Sequence, residues 1–396
     1  MRNSCFFLAA PLLLGASCLS SCDEASDDSI RVTVSKEQLS NKLDSAVINV
    51  SAASTWVLTG IPSWMTVTPA YGWGDATLRV TVEPNEAFRG RQATLVAKSG
   101  TNSASVVLSQ AETVNVNVNS AGNIGSVARR LEVPHVNAEN TFVAHYATVA
   151  RAKRLNYCYE WNNDLKHAAW VAYTIDRLTS QSNVSRQNNF QPDPELPEAM
   201  RTTNANHTND GFDRGHICPS GDRLYSAEMN LQTFYFSNMS PMLNGFNTGI
   251  WLAMENKVRE WGRATQTGKY DTLYVVKGGT IGDRLINFVG TKKGNDGQTP
   301  TTDADGMTIK GLACPANYFM AVMALKNGQY EAIGFLVPHD DTITPIGGGE
   351  DFTVADVRRY EMTIDRLEEE TGLDFFCNLP DETESQTESA IGAFWN

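Results

Sequence analysis

The chain has 396 residues, of which 41% are hydrophobic and 19% charged, with a formal net charge of −13. This composition excludes wholesale disorder, and the length suggests two or three domains. The only long apolar run lies at the very start, which excludes a multi-span membrane protein, and the net acidity argues against non-specific coating of nucleic acid. The acidity is unevenly placed. Residues 350–396 hold 13 acids and 3 bases, whereas residues 116–349 hold 22 acids and 21 bases. The middle of the chain therefore has room for a local basic groove.

Met1 and Arg2 give a short positive start, Phe6 to Leu14 is apolar but too short to span a bilayer, and small residues follow. Residues 1–21 read as a secretory signal. The run Leu19-Ser20-Ser21-Cys22 resembles a bacterial lipobox, which makes Cys22 a lipidated first residue; the bland alternative is a plain signal peptide with a chance cysteine. Residues 22–29, rich in Asp, Glu and Ser, read as an acidic tether and are similar to a surface-export tag. The expectation is an exported lipoprotein at the outer membrane or cell surface of a Gram-negative bacterium, held to the membrane through Cys22. Four cysteines remain beyond the signal and Cys22: Cys158, Cys218, Cys314 and Cys377. An even count in an oxidising compartment favours two disulfides, with three connectivities open and Cys314–Cys377 with Cys158–Cys218 preferred.

Residues 30–113 read as short alternating strands separated by Gly, Pro, Asn and Ser, the pattern of an all-β, immunoglobulin-like sandwich. Trp56, Ile61-Pro62-Ser63-Trp64, Pro69, Gly72, Gly74, Asn85, Arg91 and Gln110 make this stretch resemble the BACON domain. The resemblance implies a carbohydrate partner on exposed aromatics such as Tyr71 or Trp73; the plainer reading is a spacer. Trp56 and Trp64 are expected in the core. Residues 114–128 read as a polar linker.

From residue 129 to 396 strand-like runs (Trp170 to Ile175, Thr272 to Lys277, Tyr318 to Leu325, Tyr330 to Leu336) mix with helix-like ones (Gly249 to Arg263, Val354 to Thr371), predicting an α+β domain. Within it lies Asp213-Arg214-Gly215-His216, then Ser237-Asn238-Met239-Ser240-Pro241, then Asn247 followed by Glu255 and Arg259. These segments resemble the DNA/RNA non-specific endonucleases. The resemblance implies a ββα-metal fold with a central antiparallel sheet, and cleavage of DNA and RNA with little sugar or base preference to 5′-phosphate products. It also implies magnesium as cofactor, with manganese as a possible substitute.

The chemistry can be argued from the residues alone. Phosphodiester hydrolysis needs a deprotonated water, counter-charge for the developing phosphorane and help for the leaving oxygen. A neutral His216 can take the proton. Asn247 offers one oxygen to a hard cation that keeps most of its waters. Residues 249–263 have helical apolar spacing, so Glu255 leans back towards the Asn247 end, and Arg259 lies on the same face, able to orient that carboxylate or meet a phosphate. The plain alternative for Glu255 and Arg259 is a surface ion pair.

By resemblance, Asn238 supports the site, the alternative being a turn-forming Asn, and Arg186 within Val184-Ser185-Arg186-Gln187 stabilises the transition state. Arg214 contacts phosphate or pairs with an acid, while Asp213 is a scaffold carboxylate. Met242 stands where the family often has Gln. The acidic run from Glu368 onward reads as a solvated helix face. The rival readings are a glycan-binding surface lipoprotein with an inactive nuclease-like domain, and a phosphoesterase acting on small diesters.

Overall fold

Along Asp44–Ser51 and Ala76–Val82, buried and exposed residues alternate, as strands covered on one face require. The computed structural model describes residues 29–85, 90–120, 122 and 124–396. The signal segment and Cys22 lie outside them. Among the described residues nine strands precede residue 111: β1 Arg31–Val34, β2 Gln38–Leu39, β3 Asp44–Ser51, β4 Thr55–Thr59, β5 Met65–Thr68, β6 Tyr71–Trp73, β7 Ala76–Val82, β8 Arg91–Ser99 and β9 Asn102–Gln110. They form two sheets, ordered β1-β3-β7-β5 and β2-β9-β8-β4-β6. Ile48, Leu78, Val80, Leu95 and Leu108 are buried between them. Trp56 is in this core, its indole Nε1 donating to the Gly74 carbonyl at 2.8 Å. Trp64 is only half-buried and lies beneath the Arg91 guanidinium, 4.4 Å from the ring centre. Tyr71 and Trp73 stand on one face of β6, 76% and 73% exposed.

The boundary between the two compact units falls between Thr113 and Val114. Residues 114–128 differ from the expected free linker. Asn115 Nδ2 donates to the Cys377 carbonyl at 2.9 Å, and Asn119 Nδ2 donates to that of Pro134 at 2.9 Å. Asparagine amides suit this task, because one side chain can satisfy backbone groups from two segments.

The second unit is built on a seven-stranded antiparallel sheet. Its strands are β10 Thr141–Val149, β11 Ala152–Asn162, β12 His167–Asp176, β15 Thr272–Gly279, β16 Asn317–Lys326, β17 Gln329–Pro338 and β18 Glu361–Met362, in that order across the sheet. The central strands are apolar almost throughout because both faces are covered. One face carries Tyr157, Tyr173, Val275, Val322 and Ile333; the other carries Trp170, Ala172, Val276, Ala321 and Ala332.

Between β12 and β15 the chain adds a two-stranded ladder, β13 Asp213–His216 with β14 Met239–Met242. The helices are α1 Ala227–Gln232, α2 Asn244–Phe246, α3 Leu252–Arg263, α4 Val354–Arg358, α5 Ile364–Thr371 and α6 Asp381–Glu388. The helix expected over 249–263 is regular only from Leu252; residues 247–251 form a wider turn that kinks at Gly249. Thus β13, β14 and α3 make a ββα unit on one face of the sheet, with Met254, Val258 and Trp261 of α3 in its core. α5 buries Ile364 and Leu367 against the other face.

The expected disulfides are not formed: Cys158, Cys218, Cys314 and Cys377 are all free and buried. Both preferred pairings straddle the sheet. Cys218 and Cys314 lie in the core under the ββα unit, Cys158 in the opposite core, and the Cys377 thiol reaches the Val133 carbonyl on that opposite side.

Candidate active site

Strand geometry sets the first two groups. Arg214 and His216 are two residues apart on β13 and line the same cleft of about 380 Å³. The ladder can pack this closely because position 215 is glycine: a Cβ there would lie 2.2 Å from Met242 Sδ. Met242 is fully buried against it, so the residue in the departing family position serves packing.

His216 is held at its backbone. Its carbonyl accepts from Trp251 Nε1 at 3.3 Å. Two residues on, Asn238 brackets Cys218, accepting its N–H at 2.8 Å and donating to its carbonyl at 2.9 Å. Asn238 is fully buried, and its third bond runs to the Thr233 carbonyl. Expected by resemblance among the catalytic residues as a support of the site, it does not line the cleft; its amide is spent bracing the loop that follows the histidine.

The imidazole packs edge-on to Phe234, with centroids 4.9 Å apart. Its Nε2 is buried without a hydrogen-bond partner. Burial, reinforced by the positive charges of Arg186, Lys277 and Arg214, holds its pKa down to about 3. The ring is therefore neutral at physiological pH, with a lone pair available to accept a proton.

Asn247 is fixed by a carboxylate. Asp213 Oδ2 accepts from Asn247 Nδ2 at 3.0 Å and from Asn244 Nδ2 at 2.9 Å, while Oδ1 accepts from Asn295 at 3.0 Å. Asp213 is thus a scaffold, and its grip on Nδ2 commits the other end of the Asn247 amide. Oδ1 of Asn247 has no donor among the described residues, and Asn247 lines the cleft with Glu255. A single neutral oxygen beside a nearby carboxylate fits a hard, largely hydrated divalent cation, with Asn247 as its protein ligand.

Glu255 is nearly buried on α3, and its partner escaped sequence reasoning. Lys277 on β15 is completely buried, with Nζ 3.4 Å from Glu255 Oε1 and 5.2 Å from the Trp251 ring centre. Its signal was a charged residue continuing the inward alternation of Leu273 and Val275. Burial pushes the Glu255 carboxyl up, against the pull of Lys277. Arg259, expected to orient the Glu255 carboxylate or meet a phosphate, forms neither that bond nor the alternative surface ion pair with Glu255. Its Nε donates to Asp222 Oδ1 at 2.8 Å and its Nη1 to Asn256 at 2.7 Å. It passes so close to Gly221 that a Cβ there would lie 2.8 Å from its Cζ.

Arg186 lies over Phe234, 5.4 Å from the ring centre, and Arg214 over Phe190 at 3.9 Å. With Arg263, which sequence reasoning also missed, four arginines line the cleft against one glutamate. Polyanion binding favours such an imbalance, because guanidinium forks match phosphate oxygens.

A neutral base, an oxygen poised for a cation and a guanidinium rim serve attack on a phosphodiester, and the protein class that fold and cleft define is a nuclease. The model of the DNA/RNA non-specific endonucleases matches residues 137–382, more than half of the sequence, and the chain belongs to that family of metal-dependent nucleases acting on nucleic acid. The BACON domain model matches residues 54–111. A nuclease of Nostoc sp. is 29% identical over 238 residues, covering 59% of this chain and 76% of its own. Nuclease C1 of Cunninghamella echinulata is 30% identical over 234 residues, covering 57% and 82%. A crystal structure of an EndoG/EndoGI complex is similar at a TM-score of 0.44 and 19% identity, covering 60% of this chain and 87% of that one.

Proposed function

We propose that the protein is a magnesium-dependent endonuclease that hydrolyses DNA and RNA to 5′-phosphate products, with His216 as the general base. The observation that carries this reading is the buried, unpartnered Nε2 of a neutral His216 in the same cleft as the donor-free Oδ1 of Asn247. Magnesium, or manganese in its place, would supply positive charge to the phosphate and to the leaving oxygen when bound. His216 takes the proton of the attacking water. Arg186 and Arg214 hold the phosphate oxygens, and Lys277 fixes Glu255 where it can orient water. Arg259, bound to Asp222, keeps α3 against the Gly221 turn. Contacts confined to phosphate carry little sequence information, which supports broad substrate choice. Digestion of plasmid DNA and of RNA by the purified chain, with and without EDTA, tests the reading. Metal-independent digestion, or near wild-type digestion by His216→Ala, overturns it.

The exposed Tyr71 and Trp73 favour a second, separate activity of the sandwich: stacking against the apolar face of a sugar ring. Glycan-array binding lost in Trp73→Ala would support it. The arrangement of the cleft argues against an inactive nuclease-like domain. Cys22 and the preceding signal lead us to place the enzyme on an outer membrane or cell surface through a lipid.

A further inference from the structure

The acidic C-terminal run is not a uniformly solvated helix face. α5 and α6 both pack against β17, and α5 does so on the sheet face opposite the cleft. Asp365 and Glu368 on α5 and Glu388 on α6 each present a carboxylate oxygen, and these oxygens lie within 4.8 Å of one another. Glu388 is only 4% exposed, and its Oε1 is buried with no hydrogen-bond partner. Glu368 is fixed in place by the Phe375 N–H, which donates to its Oε1 at 2.7 Å.

Among the described residues no Lys, Arg or His forms an ion pair with any of the three. Arg366, between them on α5, is turned to Glu369 and Glu370. The surroundings are also rich in acceptors. Asp374 and Glu384 share the amide nitrogen of Asn117, whose own Oδ1 is buried and unpaired.

A buried carboxylate oxygen without a donor is costly, and clustered like charges add to the cost. Consistent with this, burial and neighbouring carboxylates push Glu368 up to about 8 and Glu388 up to about 10. A cation removes both penalties. The donor set is all oxygen, which selects hard cations over zinc or copper. Calcium–oxygen bonds of 2.3–2.6 Å put opposed ligands roughly 4.6–5.2 Å apart, whereas magnesium brings them to about 4.1 Å. Oxygens within 4.8 Å of one another can share one ion, and calcium accepts an irregular set of carboxylates where magnesium demands near-ideal octahedral geometry and sheds its waters reluctantly; water can enter on the exposed Asp365 side.

We propose that Asp365, Glu368 and Glu388 form a calcium site that clamps α6 onto α5. The site is separate from the catalytic metal position, and its effect is on stability rather than turnover.

The test uses the full chain carrying Asn247→Ala, so that the cleft contributes no metal binding. Titration calorimetry with calcium chloride is expected to show one bound ion. At free calcium a hundredfold above Kd, the melting temperature should rise by about 5 °C. Adding Glu388→Gln should abolish both the heat and the rise while leaving the calcium-free melting temperature near neutral pH little changed, because Glu388 is already held protonated there. Asp365→Asn, at an exposed position, tests the same ligand set without touching the core and should weaken calcium binding at least about tenfold. The proposal is overturned if Asn247→Ala binds no calcium, or if the calcium response survives Glu388→Gln or Asp365→Asn unchanged. An equal rise with magnesium at the same concentration overturns the assignment to calcium.

Discussion

On one face of the seven-stranded sheet, arginines surround a neutral imidazole; on the other, carboxylates crowd one another beside a buried glutamate. The two regions handle charge differently. In and beside the cleft the carboxylates already have partners: Glu255 has Lys277, Asp222 has Arg259, and Asp213 takes three asparagine amides. What is left over is a lone pair on His216, one on Asn247 and the guanidinium groups of the rim. In the acidic cluster it is carboxyl oxygens that are left over, held in their protonated form for want of a positive partner. The first arrangement is preorganised for a reaction, because nothing must be unpaired before substrate binds. The second gains stability only when something positive arrives.

The largest effect that sharpens this contrast is expected at His216. His216→Ala should lower the rate of plasmid cleavage by about 100- to 10,000-fold while leaving the melting temperature nearly unchanged. A rate within threefold of wild type would remove the cleft from catalysis. Lys277→Met should do the reverse, acting first on the fold. Stranding Glu255 in the core should cost about 3 kcal/mol in urea unfolding. The double variant Lys277→Met/Glu255→Gln should regain most of that stability without regaining activity. Equal instability of the single and double variants would deny the pairing.

Arg186→Ala should cost about 10- to 100-fold in kcat/KM, the range for one charged hydrogen bond to phosphate, and flatten the salt dependence of binding. An unchanged salt slope would remove Arg186 from the phosphate. The structural histidines give a smaller, graded effect. Burial holds His167 and His339 to about 4 and His207 to about 3. Unfolded histidines bind protons from about pH 6.5 downward. Between these values the unfolded chain holds more protons, so these residues should erode stability as pH falls from 6.5 to 4. Melting temperatures measured across that window check the sign. The smallest expected effect is at Tyr71 and Trp73: alanine at either should change sandwich stability by less than about 0.5 kcal/mol and nuclease rate not at all.

Much of this was legible in the sequence where local pattern and short spacing carry the information. The alternation of Ala76–Val82 marked a strand of the sandwich, and Asp213-Arg214-Gly215-His216 marked the cleft. The family resemblance singled out Asn247 and Glu255 and helix spacing turned Glu255 towards Asn247, although the kink at Gly249 was not foreseen. Partners brought together by the fold were not legible. Lys277 is 22 residues from Glu255, and Asp222 is 37 from Arg259. Asn238 carried the right residue type for a site, yet all its hydrogen bonds run to backbone. The polar composition of 114–128 suggested solvent, but its asparagines satisfy backbone carbonyls of the second unit.

The unbonded cysteines carry a consequence for handling. Burial pushes the Cys218 thiol up to about 11, and Cys158, Cys314 and Cys377 are also raised. Such sulfurs are poor nucleophiles, so alkylating reagents should spare them until the chain opens. Dithiothreitol should leave the melting curve where it was. Once the chain opens, the same four thiols are exposed together, so refolding calls for a reductant that the folded enzyme does not.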